Sequence, residues 1–375
     1  MRRAAATVVA ALALLPGAPA RAADAPAFKI DVAHTGYSPE RLGKRLRVAW
    51  SRPFEGRITY PVVARGRVFV SHAQGIVALN ARTGAVLWTT SARPGRTAPR
   101  LAVVGTRLVW SESHGHVGAY DARSGRSLWE YRLEGVAPNT LCAAPVARAD
   151  VMFVGCSRPG PGMHAIAAAD GRLLWRSPGE IQSVAALVGD RVVTMGESCG
   201  DAAARDATSG TVTWTPQIDG FCERFGRTPV VYRDRVYLGD MWPSEVPDPV
   251  VELATGRQVA ATLSHATPAF RGDLGFFLYE RGLRAESVTT GQVRWRFAGD
   301  GRLLGSPLVV RGRVVATSQS GTVFVVDRST GRLRQRLRAG GEGDFWTEES
   351  APVFGLSAGA GRLFVPARGR LVAYR

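Results

Sequence analysis

From about residue 46 to the C-terminus, apolar residues come in short alternating runs broken every few residues by turn residues. Runs this short and this rich in Val, Phe, Leu and Tyr predict strands rather than helices. A turn glycine punctuates them at Gly84, Gly125, Gly171, Gly210, Gly256, Gly291 and Gly331, with spacings of 41, 46, 39, 46, 35 and 40 residues. A period near 40 marks a chain built from repeated supersecondary units.

Each unit contains four strand segments, A to D in chain order. The A segments begin at Pro61, Pro99, Pro145, Ala185, Pro229, Pro268, Pro307 and Pro352. After short turns the B segments begin at Arg67, Arg107, Val151, Arg191, Arg235, Leu274, Arg313 and Arg362. The C segments start near Gly75, Gly115, Gly162, Gly200, Asp248, Gly282, Gly321 and Gly369. Seven D segments follow, centred on Trp88, Trp129, Trp175, Trp214, Val259, Trp295 and Leu333, and the chain stops before an eighth. The stretch Leu46-Arg47-Val48-Ala49-Trp50 reads as a D segment with no C segment before it. The pattern therefore predicts an all-β, eight-bladed β-propeller of four-stranded antiparallel blades, its last blade completed by the N-terminal strand, which protects both open edges.

The turn chemistry has a local cause. Asn80, Asp121, Asp206 and Asp327 lead into Thr/Ser-Gly turns, where a short polar side chain bonds backbone N–H groups and Gly supplies a positive φ. Tryptophan follows four residues after the glycine at Trp88, Trp129, Trp175, Trp214 and Trp295, and Trp50 stands in the matching place of the N-terminal strand. An indole needs an apolar slot and a partner for its N–H, and a slot between blades meets both needs.

Composition changes the picture in two respects. Of 375 residues, 45% are hydrophobic and 21% charged, which excludes global disorder and permits a large core. The formal net charge is +17, carried almost wholly by Arg, since only Lys29 and Lys44 are lysines. Residues 1–22 read as a signal peptide: Arg2 and Arg3 precede the apolar run Ala4 to Leu15, and Ala18-Pro19-Ala20 and Ala20-Arg21-Ala22 are cleavage sites of A-x-A type. The mature chain is expected to be exported to the periplasm or beyond, monomeric, and not lipid-anchored, since no Cys lies near the cleavage site. Residues 23–45 form a lead-in strap and 46–375 a single propeller.

The pattern A-[LY]-[ND]-A-x-[TS]-G-x-x-L-W, kept at residues 78–88 and 119–129, resembles the tryptophan-docking repeat of the quinoprotein-like propeller family, and residues 34–50 resemble the start of such proteins. The resemblance implies two function classes. One is a pyrroloquinoline quinone dehydrogenase of alcohols or sugars, with the quinone and Ca²⁺ held above the propeller axis. The other is a non-catalytic scaffold, like the scaffold lipoprotein of the outer-membrane barrel-assembly machine. No adjacent Cys pair is present, no C-x-x-C-H haem tag occurs, and no Ca²⁺ ligand set or catalytic Asp maps onto this chain. The sequence therefore favours a cofactor-free scaffold with no catalytic residues and no metal site, quinone with Ca²⁺ being the alternative.

In a four-stranded blade the B–C and D–A links share one rim, and the A–B and C–D turns share the other. All four cysteines fall on the link rim, and reflection about the turn near Ala149 sets Cys142 opposite Cys156. Export favours the pairs Cys142–Cys156 and Cys199–Cys222, free thiols being the alternative; the spacing carries no zinc signature. The same rim bears Asp240, Trp242 and Glu245 in one link and Asp344, Phe345, Trp346, Glu348 and Glu349 in another. Aromatics mixed with carboxylates outside the structural positions make these a candidate partner-binding surface, or solvated loops whose rings fold back on the blade. The turn rim is basic, with Arg65, Arg67, Arg107, Arg148, Arg191, Arg233, Arg235, Arg271, Arg311, Arg313 and Arg362 at A–B turns. It either offers a surface to an anionic polymer or lipid headgroups or is simply solvated. No nucleic-acid recognition motif is present, no G-x-S-x-G occurs, and the six His residues are dispersed.

Overall fold

The computed structural model describes residues 23–91, 97–137, 140–157, 162–181, 183–196, 201–218, 227–239, 246–340, 355–367 and 369–375. They form eight four-stranded antiparallel blades in chain order around a ring, and Tyr37–Ser38 adds a short parallel strand to the inner edge of blade 7, opposite Val309–Val310. Blade 1 is typical, with strand A at Val62–Ala64, B at Arg67–His72, C at Gly75–Asn80 and D at Val86–Thr89. Strand A is buried throughout, whereas D buries only Trp88, so each blade runs from a dry inner edge to a wet outer one.

The C–D hairpin follows from its turn residues. Asn80 Oδ1 accepts from the amides of Arg82 at 2.9 Å and Thr83 at 3.1 Å, and Gly84 takes φ 73°. A bulge between Ala78 and Leu79 then restores the register. The turn at Asp121 is built alike, and the hydroxyl and amide of Ser124 hold its carboxyl below the usual carboxylate range.

The ring closes through the N-terminal strand, as the strand count predicts. Val48–Pro53 pairs antiparallel with Arg370–Tyr374 and completes blade 8, placing Trp50 opposite Ala373. The strand starts two residues later than the sequence suggests, because Leu46 turns inward and is buried. Its backbone is held by Gln335, whose Oε1 accepts from the Leu46 amide at 2.8 Å while Nε2 donates to the Leu46 carbonyl at 2.7 Å. A second difference concerns strand A of blade 8, expected from Pro352. Residues 352–354 lie outside the described residues, and the strand that pairs with Arg362–Ala367 is Ser357–Gly359. The two-residue turn Ala360-Gly361 ahead of Arg362 sets this position, as Arg65-Gly66 does ahead of Arg67.

Candidate functional site

The axis is where the structure adds most. Strand A is the inner edge of every blade, and its outward N–H and C=O groups need partners. Residues 23–38 supply them. The amides of Val63, Val103, Leu187, Val231, Phe270 and Val309, which hold one repeat position in blades 1, 2, 4, 5, 6 and 7, donate to the carbonyls of Ala25, Pro26, Val32, Ala33, Thr35 and Gly36 at 2.7–3.0 Å. Ala360 of blade 8 donates to Ala23 at 3.1 Å, and Val32 packs on the cluster containing Val146 of blade 3. The segment is a belt around the inside of the ring.

Its side chains fill the middle. Lys29 crosses the axis, and its Nζ donates to the carbonyls of Thr267 at 3.1 Å and Pro307 at 2.8 Å. Burial pulls its pKa down to about 7, against the pull of the Asp31 carboxylate. Asp31 accepts from the amides of Ala33 and Thr35 and from the Thr35 hydroxyl, and burial raises its pKa. His34 Nδ1 bonds the Pro229 carbonyl at 3.0 Å, and burial lowers its pKa to about 4. Phe28 meets Tyr60 edge-on at 5.2 Å. Lys29, Ile30 and His34 hold positive φ values of 55°, 80° and 62°, conformations that last only where surrounding contacts fix them. The sequence reading placed these residues in a lead-in strap and missed the belt; one of only two lysines in an Arg-rich chain was the available signal.

Each named tryptophan meets the following blade. Trp50, Trp88, Trp129, Trp175, Trp214 and Trp295 donate Nε1–H to the carbonyls of Ala81, Ala122, Ala168, Ala207, Leu253 and Arg328 at 2.8–3.2 Å. Each indole covers the next turn glycine so closely that a Cβ there would lie 2.5–2.8 Å from the ring. Cys142 and Cys156 form a disulfide on the link rim, and Arg100 donates to the Cys142 carbonyl at 3.0 Å. Cys199 and Cys222 lie outside the described residues. So do Asp240, Trp242, Glu245, Asp344, Phe345, Trp346, Glu348 and Glu349.

On the turn rim many arginines are inter-blade ties. Arg148 donates to Gly189, Arg191 to Leu253 and Ala254, Arg233 to Gly272, Arg235 to Val288 and Arg362 to Arg82, each a backbone carbonyl of the next blade, and Arg313 donates to the carbonyl of Lys44 in the lead-in to the closing strand. Arg107 pairs with Asp150 at 3.2 Å. Their donors are held on carbonyls and on Asp150, so the arginines of this rim are fixed in place.

The axial residues do not fit a quinone with Ca²⁺. The Lys29 amine is spent on the carbonyls of Thr267 and Pro307 and the carboxylate of Asp31 on Ala33 and Thr35, so neither offers a metal ion a free anionic ligand. Among the described residues, no three His, Cys, Asp or Glu side chains converge. No helix among them is long and apolar enough to cross a membrane.

The family model described as outer membrane protein assembly factor BamB matches residues 44–141, 72–241 and 241–375. A tetrathionate hydrolase of Acidithiobacillus ferrooxidans is 23% identical over 286 residues, which cover 68% of this chain and 56% of that protein; the chain thus matches little more than half the length of this curated relative. Among solved structures, quinohemoprotein alcohol dehydrogenase from Comamonas testosteroni is similar at TM-score 0.73 and 14% identity, over 94% of this chain and 80% of that one. BamB from Moraxella catarrhalis is similar at 0.66 and 16%, over 88% and 98%. At such identities these structures share the fold.

Proposed function

The chain belongs to the family of outer membrane protein assembly factor BamB, and from that premise we propose that it is an exported, non-catalytic propeller that binds a protein partner in the cell envelope or outside it. One observation carries this reading. The belt of residues 23–38 takes up the axis over which a quinone enzyme of this architecture would hold its cofactor, and it commits its backbone carbonyls, the Lys29 amine and His34 Nδ1 to the blades.

Partner binding belongs to the link rim, where Trp242, Phe345 and Trp346 stand among carboxylates in the sequence of two of its links. The turn rim, its arginines fixed by carbonyls, suits an anionic envelope polymer or lipid headgroups, and binding there should weaken as salt is added. Cleavage after Ala22 leaves Ala23, which accepts from Ala360, as the first residue of the mature chain.

The test is a titration of the mature chain with pyrroloquinoline quinone and Ca²⁺, read by tryptophan fluorescence and by dye-coupled oxidation of an alcohol or sugar. Tetrathionate consumption is assayed beside it. We expect no saturable quinone binding and no turnover. Micromolar or tighter quinone binding with dye reduction, or consumption of tetrathionate, would make the protein an enzyme and end the scaffold reading.

A further inference from the structure

Blades 2 and 3 do not close fully on their outer side. A cleft of about 350 Å³ lies between them, lined by Tyr131, Leu133 and Glu134 of blade 2 and by His164, Leu173 and Arg176 of blade 3. That volume is at the lower end of what small-molecule sites occupy.

Strand alternation places these groups. Trp129 and Tyr131 are two apart on strand D of blade 2 (Ser127–Arg132), so both face blade 3, with ring centroids 5.9 Å apart. The Trp129 indole is spoken for by the Ala168 carbonyl, but the Tyr131 hydroxyl is buried without a hydrogen-bond partner. On blade 3, His164 pairs across the sheet with Arg176, on the face opposite Ala165 and Trp175. His164 is 2% exposed, and its Nδ1 also lacks a partner. Blade architecture does not call for an imidazole here, since the same repeat position holds Val77, Gly118, Ala203 and Phe324 in other blades. Arg176 is exposed, whereas the neighbouring Arg132 is fixed to the carbonyls of His114 at 3.0 Å and Val136 at 2.6 Å.

Two buried polar groups left unpaired in one cleft carry a desolvation cost that packing does not offset. A ligand would offset it. We infer that this cleft binds a small organic carboxylate, its apolar body between Tyr131 and Leu173 and its oxyanion accepting from the Tyr131 hydroxyl and Arg176, with the His164 ring in the lining. Burial above all, with the Arg176 cation pushing the same way, holds the His164 pKa near 4. Backbone groups of Gly162 and Val154 act on the ring in the opposite sense without restoring its pKa, so it is neutral at pH 7 and the opposite charge comes from Arg176. The inference does not depend on the scaffold reading.

Benzoate is the probe and benzamide its neutral isostere, both followed by saturation-transfer NMR on the purified full-length mature chain. Benzoate should bind saturably and at least about tenfold tighter than benzamide, the worth of one charge-assisted contact. Arg176→Gln, an exchange at an exposed position that leaves the core intact, should erase that preference, and Tyr131→Phe should weaken benzoate severalfold. The imidazole resonance of His164 should shift on benzoate addition. Arg126→Gln, on the turn rim, should change nothing. Equal binding of benzamide, no saturation up to about 10 mM, indifference to Arg176→Gln, or an equal loss in Arg126→Gln would each overturn the site.

Discussion

Six seams of the ring carry an indole on their outer side, and the seam between blades 5 and 6 does not. Where the repeat would place tryptophan, four residues after Gly256, the chain has Ala260. Gly291, the next turn glycine, is exposed, with nothing near its absent Cβ. The packing there has moved inward. Tyr232 and Tyr237 of blade 5 meet Phe270 of blade 6 at 5.0 and 4.4 Å, and Phe277 stands edge-on to Phe270 at 5.8 Å. Tyr232 Oη and Arg233 both donate to the Gly272 carbonyl, and Arg235 donates to Val288, the counterpart of the carbonyls that take an indole elsewhere. The belt adds to the same sector, because His34 bonds blade 5 and Lys29 bonds blades 6 and 7. A seam needs buried apolar area and a donor for its exposed carbonyls; the indole is one way to provide both.

The strongest test of that equivalence removes the large ring on each side. Trp88→Ala and Phe270→Ala should each cost about 3–5 kcal/mol in urea unfolding. A loss below about 1 kcal/mol for Phe270→Ala would mean that the fifth seam is held by something else. Next come the two glycines with nearly equal φ, 74° at Gly125 and 72° at Gly291. Gly291→Ala should cost only the left-handed backbone term, about 1–2 kcal/mol. Gly125→Ala adds a Cβ 2.7 Å from the Trp88 ring and should cost about 1–3 kcal/mol more through overpacking. Equal losses would break the contrast. The seam between blades 7 and 8 offers a third case, with Gln335 in the tryptophan position, and Gln335→Leu should cost about 1–3 kcal/mol by stripping the Leu46 amide and carbonyl of their partners.

The buried titratable groups of the belt, together with His164 of blade 3, should give stability a pH dependence no steeper than about 1.4 kcal/mol per pH unit for each group. Between pH 4 and 6.5 the unfolded chain binds protons that the buried rings of His34 and His164 refuse, so stability should rise with pH across that window. From pH 7 to about 10 the unfolded chain keeps the Lys29 proton while the fold sheds it, so stability should rise again. Lys29→Met should flatten the second window and leave the first; a slope unchanged by that substitution would remove Lys29 as its source.

The architecture was largely legible in the chain because its causes are local. Alternation sets which face is dry, Asn80 and Asp121 set their turns, and reflection about a tight turn was enough to pair Cys142 with Cys156. The belt was illegible for a definite reason: its main bonds are backbone to backbone, and a carbonyl such as that of Val32 leaves no mark in the residue type. The turn-rim arginines misled differently. Arg148, Arg191, Arg235 and Arg362 read as free surface charge, and the fold turns their donors onto carbonyls of the next blade.

Residue order alone was sufficient for the blade count, the turn conformations and the closing strand, since these follow from interactions that reach only a few residues along the chain or between repeats of one pattern. Closing the ring settled everything that joins distant parts. Lys29 meets carbonyls 238 and 278 residues away, and Tyr131 and His164 share a cleft across two blades. No periodicity encodes those meetings, because they depend on where the eight sheets come to rest around one axis.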